Sequence, residues 1–207
     1  VGMYTWNIRK YDPNQAWQAA CAYIMPEAAL AFQTFCEHNS DPGPNGHLYR
    51  REESARYVTP IQTLMEGYKR NQFPEKEANT LGTLFAQITA SPSMIFGQNR
   101  NRRMVEQIAP WLNQFEALGR AGTSALQMAH AWYSKDKAYT WQLYLETAQR
   151  IRTMQTINRT LNQKASPKGV KCGSRVLYPF IMDLYRQPSR NLLSTEETKP
   201  EEVEISQ

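Results

Sequence analysis

The chain has 207 residues, of which 41% are hydrophobic and 21% are charged, and these proportions are ordinary for a soluble globular protein of one domain or two small ones. No apolar run approaches the roughly 18 to 20 residues that a membrane span needs, and three cysteines without a CxxC motif disfavour a disulfide framework or a zinc finger. The net charge of +5 is uneven: the tail from Ser194 to Gln207 holds five Glu and one Lys (−4), which leaves +9 (5 minus −4) on the rest of the chain.

Two helices are predicted before residue 38. Asp12 and Pro13 begin the first, because aspartate caps helix N-termini and proline suits the first helical position, and Gln15 can complete a capping box. Pro26 should break or kink this helix, because proline cannot donate to the backbone ladder. Apolar residues at helical spacing mark the buried faces on both sides of this proline: Trp17, Ala20, Cys21, Ile24, Ala28, Phe32, Phe35 and Cys36.

Three further helices are predicted in the middle of the chain. Thr59–Gln62 repeats the start signal, and the next helix begins near Pro74 and is expected to end at Pro92. The helix after it contains Pro110, which we expect to kink or restart it, and its apolar stripe continues to Trp132. The residues expected to face inward are Leu64, Met65, Tyr68, Leu81, Leu84, Phe85, Ile88, Met104, Val105, Ile108, Trp111, Leu112, Phe115, Leu118, Leu126 and Ala129.

The longest helical pattern runs from about Asp136 to Lys164, and a last segment is helical at least from Pro179. Together the elements predict an all-α multi-helix bundle of five to seven helices over residues 13–190, followed by an acidic tail at 191–207 that we expect to be disordered. The inward residues of these last segments are Trp141, Tyr144, Leu145, Ala148, Ile151, Met154, Ile157, Leu161, Val176, Leu177, Phe180, Ile181 and Leu184.

Residues 1–12 do not fit a helical bundle. Val1 to Trp6 has the aromatic and β-branched composition of a short strand, but nothing else in the chain predicts a partner strand. A lone strand leaves its backbone N–H and C=O groups unpaired, which is costly. We therefore expect residues 1–12 to be an orphan strand and its exit, left from a sheet that lies upstream in a longer protein.

The segment between the second and third predicted helices reads HNSDPGPNGHLYRREES, residues 38–54. It resembles the signature that follows the catalytic barrel in bacterial family-84 glycoside hydrolases, the O-GlcNAc-removing and hyaluronidase-like β-N-acetylglucosaminidases. Three more stretches are similar in order and spacing, namely YTWNIRKYDP, IMPEAALAF and IAPWLNQF. The resemblance covers Val1 to about Arg186.

This resemblance implies a parent enzyme and a place within it. Members of the family carry their chemistry in a (β/α)8 barrel, where two adjacent aspartates assist attack by the substrate's own 2-acetamido oxygen, and a helical domain follows the barrel. The chain has no Asp-Asp pair, so the resemblance implies that the catalytic aspartates lie upstream of Val1 and that this piece holds no catalytic residue. The implied partners are the chain's own barrel and, through the parent, an O-GlcNAc-type glycoconjugate. No cofactor, metal or membrane is expected, and the parent is expected to be secreted or periplasmic.

The loop at 38–54 is expected to present polar side chains at low entropic cost, because prolines and glycines fix its turns. In the full enzyme these side chains either line the groove that receives the sugar's protein carrier or wedge between the barrel and the helices. Tyr4 and Trp6 are the candidates for contact with the barrel. The candidates for the rim of the groove are Asn39, Asp41, Asn45, His47 and Tyr49.

Other chemistry-bearing residues are interpreted as structural. Glu52 and Glu53 are adjacent and lie among arginines, which is typical of an ion-pair cluster rather than of the two carboxyl groups that flank a glycosidic bond. His38, Asp41 and His47 lack the tight spacing of a metal site. Cys36, Trp111, Trp132 and Trp141 are assigned to the core rather than to a site, and His130 is assigned to the edge of the core or to the surface.

A dense group of basic residues leaves a second class of function open, a self-standing helical module that binds nucleic acid or an acidic protein partner. The sequence patterns of RNA- and DNA-binding modules are absent, so nucleic acid is not favoured. A carbohydrate-binding helical module is a third hypothesis. The basic group comprises Arg100, Arg102, Arg103, Arg150, Arg152, Arg159, Lys164, Lys168, Lys171 and Arg175.

Overall fold

The computed structural model describes residues 12–39, 59–67, 69–70, 72–98, 100–165 and 177–194, and within these ranges it contains seven helices and no strand. The prediction of an all-α bundle of five to seven helices is confirmed. The strand predicted at Val1–Trp6 lies outside the described residues. The helices are α1 (Pro13–Ile24), α2 (Ala29–Asn39), α3 (59–67), α4 (Glu75–Phe96), α5 (Arg102–Tyr133), α6 (Lys137–Ala165) and α7 (Leu177–Ser194).

The predicted start and end of α1 are confirmed. Asp12 Oδ1 accepts hydrogen bonds from the backbone N–H groups of Asn14 at 2.8 Å and Gln15 at 3.4 Å, which satisfies two donors that the first helical turn leaves unpaired. The helix ends at the residue before Met25, and Pro26 follows. Because Pro26 has no N–H to extend the ladder, the chain turns there and continues as α2.

Prolines do not end the long helices, and here the prediction is wrong for Pro92. α4 continues past it to Phe96, although a proline inside a helix costs about 3 kcal/mol. Pro92 is itself buried, and Ile95 in the last turn is fully buried, which stabilises by about 1.5 to 3 kcal/mol. These apolar contacts offset the lost hydrogen bond. Pro110 likewise lies inside α5, and the helix does not restart there. Pro110 is exposed to solvent, and on that side of a helix the backbone N–H to C=O hydrogen bonds can lengthen at little cost.

The core lies where α4 and α5 pack together, with α7 beside them. Phe85 of α4 is fully buried and stacks on Phe180 of α7 with ring centroids 6.5 Å apart. A Cβ atom added to Gly119 would lie 2.8 Å from the backbone nitrogen of Thr89, and one added to Gly122 would lie 2.3 Å from Cε1 of Phe85. Glycine at these two positions therefore sets the spacing of α4 and α5. The residues predicted to face inward on α4 are all buried: Leu81, Leu84, Phe85 and Ile88.

Contacts between helix ends establish the direction of each helix. At one end of the bundle, Asn101 Nδ2 donates to the backbone carbonyl of Ile24, and we call this the Asn101 end. At the other end, His130 Nε2 of α5 lies 3.2 Å from Glu75 Oε1 of α4, and we call this the Glu75 end. α4 and α5 are therefore antiparallel. α2 also starts at the Asn101 end, because only residues 25–28 separate it from α1.

The predicted inward face of α6 is confirmed at Ile151, Met154 and Leu161 but is wrong at Leu145. Leu145 was expected to face inward and is 56% exposed, whereas Thr140 and Thr147 are fully buried. The inward face is set farther along the helix, where Ile151 and Met154 are buried as predicted. Continuing their spacing of three or four residues backward leads to 147, 143 and 140 rather than to Leu145, and this is why the prediction is wrong there.

α7 runs back along α6, and Tyr185 stacks on Tyr144 with ring centroids 5.6 Å apart. The predicted end of the helical domain, residue 190, falls four residues short of the observed end of α7 at Ser194. Leu192 continues the four-residue spacing that begins at Leu184, which favours one more helical turn. The rest of the predicted tail, 195–207, lies outside the described residues.

Candidate functional site

The residues predicted for the groove rim and the barrel contact fall mainly outside the part of the chain that the structure describes. Asn39 is described and is the last residue of α2. The structure therefore tells how the loop is held at its two flanks. The predicted site residues outside the described ranges are Tyr4, Trp6, Asp41, Asn45, His47 and Tyr49.

α2 anchors the first flank of the loop in the main core. Phe32 and Phe35 are buried on the inner face of α2, with ring centroids 6.5 Å apart. The ring of Phe35 also meets Phe115 of α5 edge-on, at a centroid distance of 5.5 Å and an interplanar angle of 81°. Edge-to-face pairs contribute about 0.5 to 1.5 kcal/mol beyond burial. The loop therefore leaves from a helix that is packed against the longest helix of the bundle.

α3 anchors the second flank in the same core. Leu64 is fully buried, and Ile61 and Met65 pack against the cluster that contains it. After α3 the chain turns back tightly, since a Cβ atom on Gly67 would lie only 2.6 Å from Cγ of Pro74. Both flanks thus insert into one core, which is the rigid scaffold on which binding loops are commonly carried.

A groove of about 470 Å³ lies between α5 and α6 and is lined by charged side chains. Arg120 donates to Glu116 Oε1 through Nη2 at 2.6 Å and through Nε at 2.8 Å. On α6, Arg150 donates to Glu146 Oε1 through Nη2 alone. Arg150 Nη1 also donates to the backbone carbonyl of Arg120 at 3.2 Å, which links the two helices. Because arginines of the same helix hold both carboxylates, the groove offers no acid–base pair to flank a glycosidic bond.

This groove was not predicted from the sequence, although a signal for its ion pairs was present. Glu116 with Arg120 and Glu146 with Arg150 both have the i, i+4 spacing that brings opposite charges together on a helix surface. Each exposed pair of this kind contributes about 0.3 to 0.5 kcal/mol. The groove is interpreted as a structural seam between α5 and α6.

Three aromatic rings form a stack across α6 and α7. Trp141 and Tyr144 have centroids 5.3 Å apart, and Tyr144 and Tyr185 follow at 5.6 Å with nearly parallel planes. Burial and then the hydrogen bond with Tyr144 raise the pKa of the Tyr185 hydroxyl to about 12. Trp141 thus packs on aromatic side chains of the protein itself, and Trp111 packs against the main core, in line with their structural interpretation.

His130 and Cys36 have the structural environments predicted for them. His130 is exposed at the Glu75 end, where its ring meets Phe73 edge-on with centroids 5.3 Å apart. Cys36 is half-buried and packs against the main core. Across the described ranges, no group of three or more His, Cys, Asp or Glu side chains is arranged to hold a metal ion. None of the helices in those ranges combines the length and apolarity needed to cross a bilayer.

Comparison with known proteins assigns the chain to a family. The model of the family described as "Bacterial GH84, post-catalytic domain" matches residues 53–185, well over half of the chain. The fold is similar to part of the solved structure of CpGH84D, with a TM-score of 0.71 and 20% identity over 91% of this chain, and to part of CpGH84B, with a TM-score of 0.67 and 20% identity over 87%. The chain spans only 31% and 29% of those two structures. It belongs to the family of bacterial GH84 post-catalytic domains.

Proposed function

We propose that this chain is the non-catalytic helical domain of a β-N-acetylglucosaminidase that removes O-GlcNAc, and that it braces the barrel preceding it. The family match and the small share of each solved neighbour that the chain spans support this proposal. Residues 1–12 are then the last barrel strand and its exit, and the helical domain runs from residue 13 to the end of α7. The partners are the chain's own barrel and, through the parent enzyme, an O-GlcNAc-type glycoconjugate.

The observation that carries the proposal is the reversal of the chain at the Asn101 end. α1 reaches that end at Ile24, residues 25–28 turn the chain, and α2 runs back while packing on α1. Helices joined by so short a connection pack as an antiparallel hairpin and bring their far ends to the same side. Asp12 and Asn39 are at those far ends. Asp12 and Asn39, which adjoin the N-terminal segment and the polar loop, therefore lie on the same side of the bundle, and this supports the proposal that the loop borders the barrel.

In this proposal the barrel supplies the chemistry and the helical domain supplies position. The adjacent aspartates expected upstream of Val1 steer the 2-acetamido group and act as general acid and base. Tyr4 and Trp6 contact the barrel. The loop, held at both flanks by the core, donates and accepts hydrogen bonds beyond the sugar, on the carrier of the glycoconjugate. Its contributing residues are Asn39, Asp41, Asn45, His47 and Tyr49.

The test compares a loop variant with a matched surface variant in the parent enzyme. Asn45→Ala should lower kcat/KM for an O-GlcNAc peptide by roughly 2- to 12-fold, the equivalent of one lost hydrogen bond, and leave a small chromogenic N-acetylglucosaminide unaffected. Asn79→Ala, at an exposed asparagine of α4, should change neither value. Equal losses on both substrates, together with a lower melting temperature, would instead favour a loop that only wedges between barrel and helices.

The isolated chain provides an independent test of whether the catalytic residues lie in the barrel and not in this domain. The 207-residue chain should not cleave a chromogenic N-acetylglucosaminide, because the aspartate pair lies upstream in this proposal. The parent enzyme at equal concentration serves as the positive control. Steady turnover by the pure chain would contradict the proposal.

A further inference from the structure

Two amide side chains from the connection between α4 and α5 bind the turn between α1 and α2. Asn101 Nδ2 donates to the backbone carbonyl of Ile24, the last residue of α1. Gln98 Nε2 donates to Glu27 Oε2 at 3.3 Å. We call these two hydrogen bonds the Asn101 clasp. Their partners are 77 and 71 residues apart in the chain, so the clasp exists only because the fold brings the two connections together.

Asn101 adopts a conformation that serves the clasp rather than its own helix. It occupies the N-cap position of α5, where an asparagine side chain ordinarily accepts a hydrogen bond from the first helical turn, yet it makes no such bond. Its backbone is left-handed, with φ of 58°, which is uncommon outside glycine. The carbonyl of Ile24 is one of those that the end of a helix leaves without an intrahelical partner. Asn101 therefore caps α1 from a distance and does not cap α5.

Gln98 shows the same preference for the clasp. Its side chain is only 5% exposed, and Oε1 is buried without a hydrogen-bond partner among the described residues. Burial of an unpaired amide oxygen is unfavourable. An apolar residue of similar size would avoid that penalty but could not bind Glu27. The position thus favours a residue that can donate to the turn between α1 and α2.

The clasp acts on the least anchored part of the hairpin. Among the described side chains of α1 only that of Cys21 is buried, whereas Phe32 and Phe35 anchor α2 in the core. A helix with few buried apolar contacts is easily displaced. α1 has 12 residues, so at about 1.5 Å per residue a tilt of roughly 10° about Ile24 would move its start at Asp12 by about 3 Å. An error of about 1 Å in the placement of binding groups is enough to slow an enzyme strongly.

We propose that Asn101 is a positioning residue of the parent enzyme: by capping α1 from the connection between α4 and α5, it fixes the direction in which α1 meets the preceding barrel. This inference rests on the proposed function and makes it specific. Gln98 supports the same turn through Glu27. With α1 fixed, the barrel and the polar loop that follows α2 keep one relative position, and the loop reaches the carrier of the glycoconjugate.

The clasp itself is tested in the isolated chain by amide hydrogen exchange. Asn101→Gly keeps the left-handed backbone and removes the donor, so exchange in α1 should quicken by roughly 2- to 12-fold, the equivalent of one lost hydrogen bond, while exchange in α4 stays unchanged. Asn101→Asp, which also tolerates this backbone but cannot donate, should have the same effect. Lys135→Gly is the matched control, because Lys135 has φ of 59° in the connection between α5 and α6. It should leave exchange in α1 unchanged.

A second variant keeps the test independent of backbone effects at residue 101. Gln98→Met removes the donor to Glu27 together with the unpaired buried oxygen. It should therefore quicken exchange in α1 without lowering the melting temperature. Unchanged exchange of α1 in both Asn101→Gly and Gln98→Met would overturn the clasp.

The positioning role is tested in the parent enzyme. Asn101→Gly should raise KM for an O-GlcNAc peptide by roughly 2- to 12-fold with kcat unchanged, and should leave KM for a small chromogenic N-acetylglucosaminide as it was, because only the carrier reaches the loop. Lys135→Gly should alter neither substrate. Faster exchange in α1 with an unchanged KM for the peptide would overturn the positioning role, and so would equal losses on both substrates. The wider proposal would survive either result if Asn45→Ala still discriminated between the two substrates.

Discussion

Replacement of Gly122 by alanine tests whether the spacing of α4 and α5 holds the core together. The added Cβ atom would lie 2.3, 2.4 and 2.5 Å from three ring atoms of Phe85, whereas ordinary contact begins at 3.4 Å. The ring would have to move by about 1.1 Å (3.4 minus 2.3), yet Phe85 is fully buried and stacks on Phe180. Overpacking of this kind costs about 1 to 3 kcal/mol. Alanine also gains about 1 kcal/mol of helix propensity over glycine, which offsets part of the cost.

Gly82→Ala separates these two effects, because it changes helix propensity without creating a steric clash. Gly82 also lies inside a helix, and its added Cβ would meet nothing within 4 Å. The free energy of unfolding of Gly122→Ala should therefore fall about 1 to 3 kcal/mol below that of Gly82→Ala. Urea unfolding followed by circular dichroism measures both values. The Phe85→Leu background should reduce the penalty by relieving the clash. A Gly122→Ala variant as stable as Gly82→Ala would refute the close approach of the two helices.

Three further predictions concern a cap, a cavity and a titration. Asp12→Ala removes the N-cap of α1 and should lower the free energy of unfolding by about 1 kcal/mol in urea, whereas Asp12→Asn should retain most of it. Leu84→Ala leaves a cavity between α4 and its neighbours and should cost about 2 to 5 kcal/mol in the same assay. Because the pKa of Tyr185 is raised from 10.0 to about 12, the unfolded chain loses this proton first, so stability should fall as pH rises through that interval, less steeply in Tyr185→Phe. Ultraviolet absorbance titration should lose its latest phase in that variant.

Local rules anticipated where several helices begin and end. Asp12 caps α1, Pro26 separates α1 from α2, and α4 begins directly after Pro74, all as predicted. These signals work because a cap or a proline acts on the backbone within one turn of itself. The rule failed at Pro92, where the burial of Ile95 by other helices outweighs the local cost. A local signal cannot register a contact made across the bundle.

The candidate site was likewise predicted only in part from the sequence. The polar loop stood out in the sequence and resembles a family signature, and its rim residues remain proposals. The ion-paired groove between α5 and α6 was not predicted, although the i, i+4 spacing of Glu116 and Arg120 indicates one of its two ion pairs. The stack of Tyr144 on Tyr185 joins residues of two helices that no spacing rule relates.

The sequence by itself determined the all-α class, a range of five to seven helices and the inward stripe of α4, because these follow from a 3.6-residue period and short-range backbone chemistry. Tertiary structure alone decided which face of α6 is covered. Its apolar residues occupy more than one side of the helix, and α5 accepts only the row that runs through Thr147, Ile151 and Met154. Periodicity indicates that a helix has an apolar side, but the neighbouring helix determines which residues are buried, and Leu145 is left exposed.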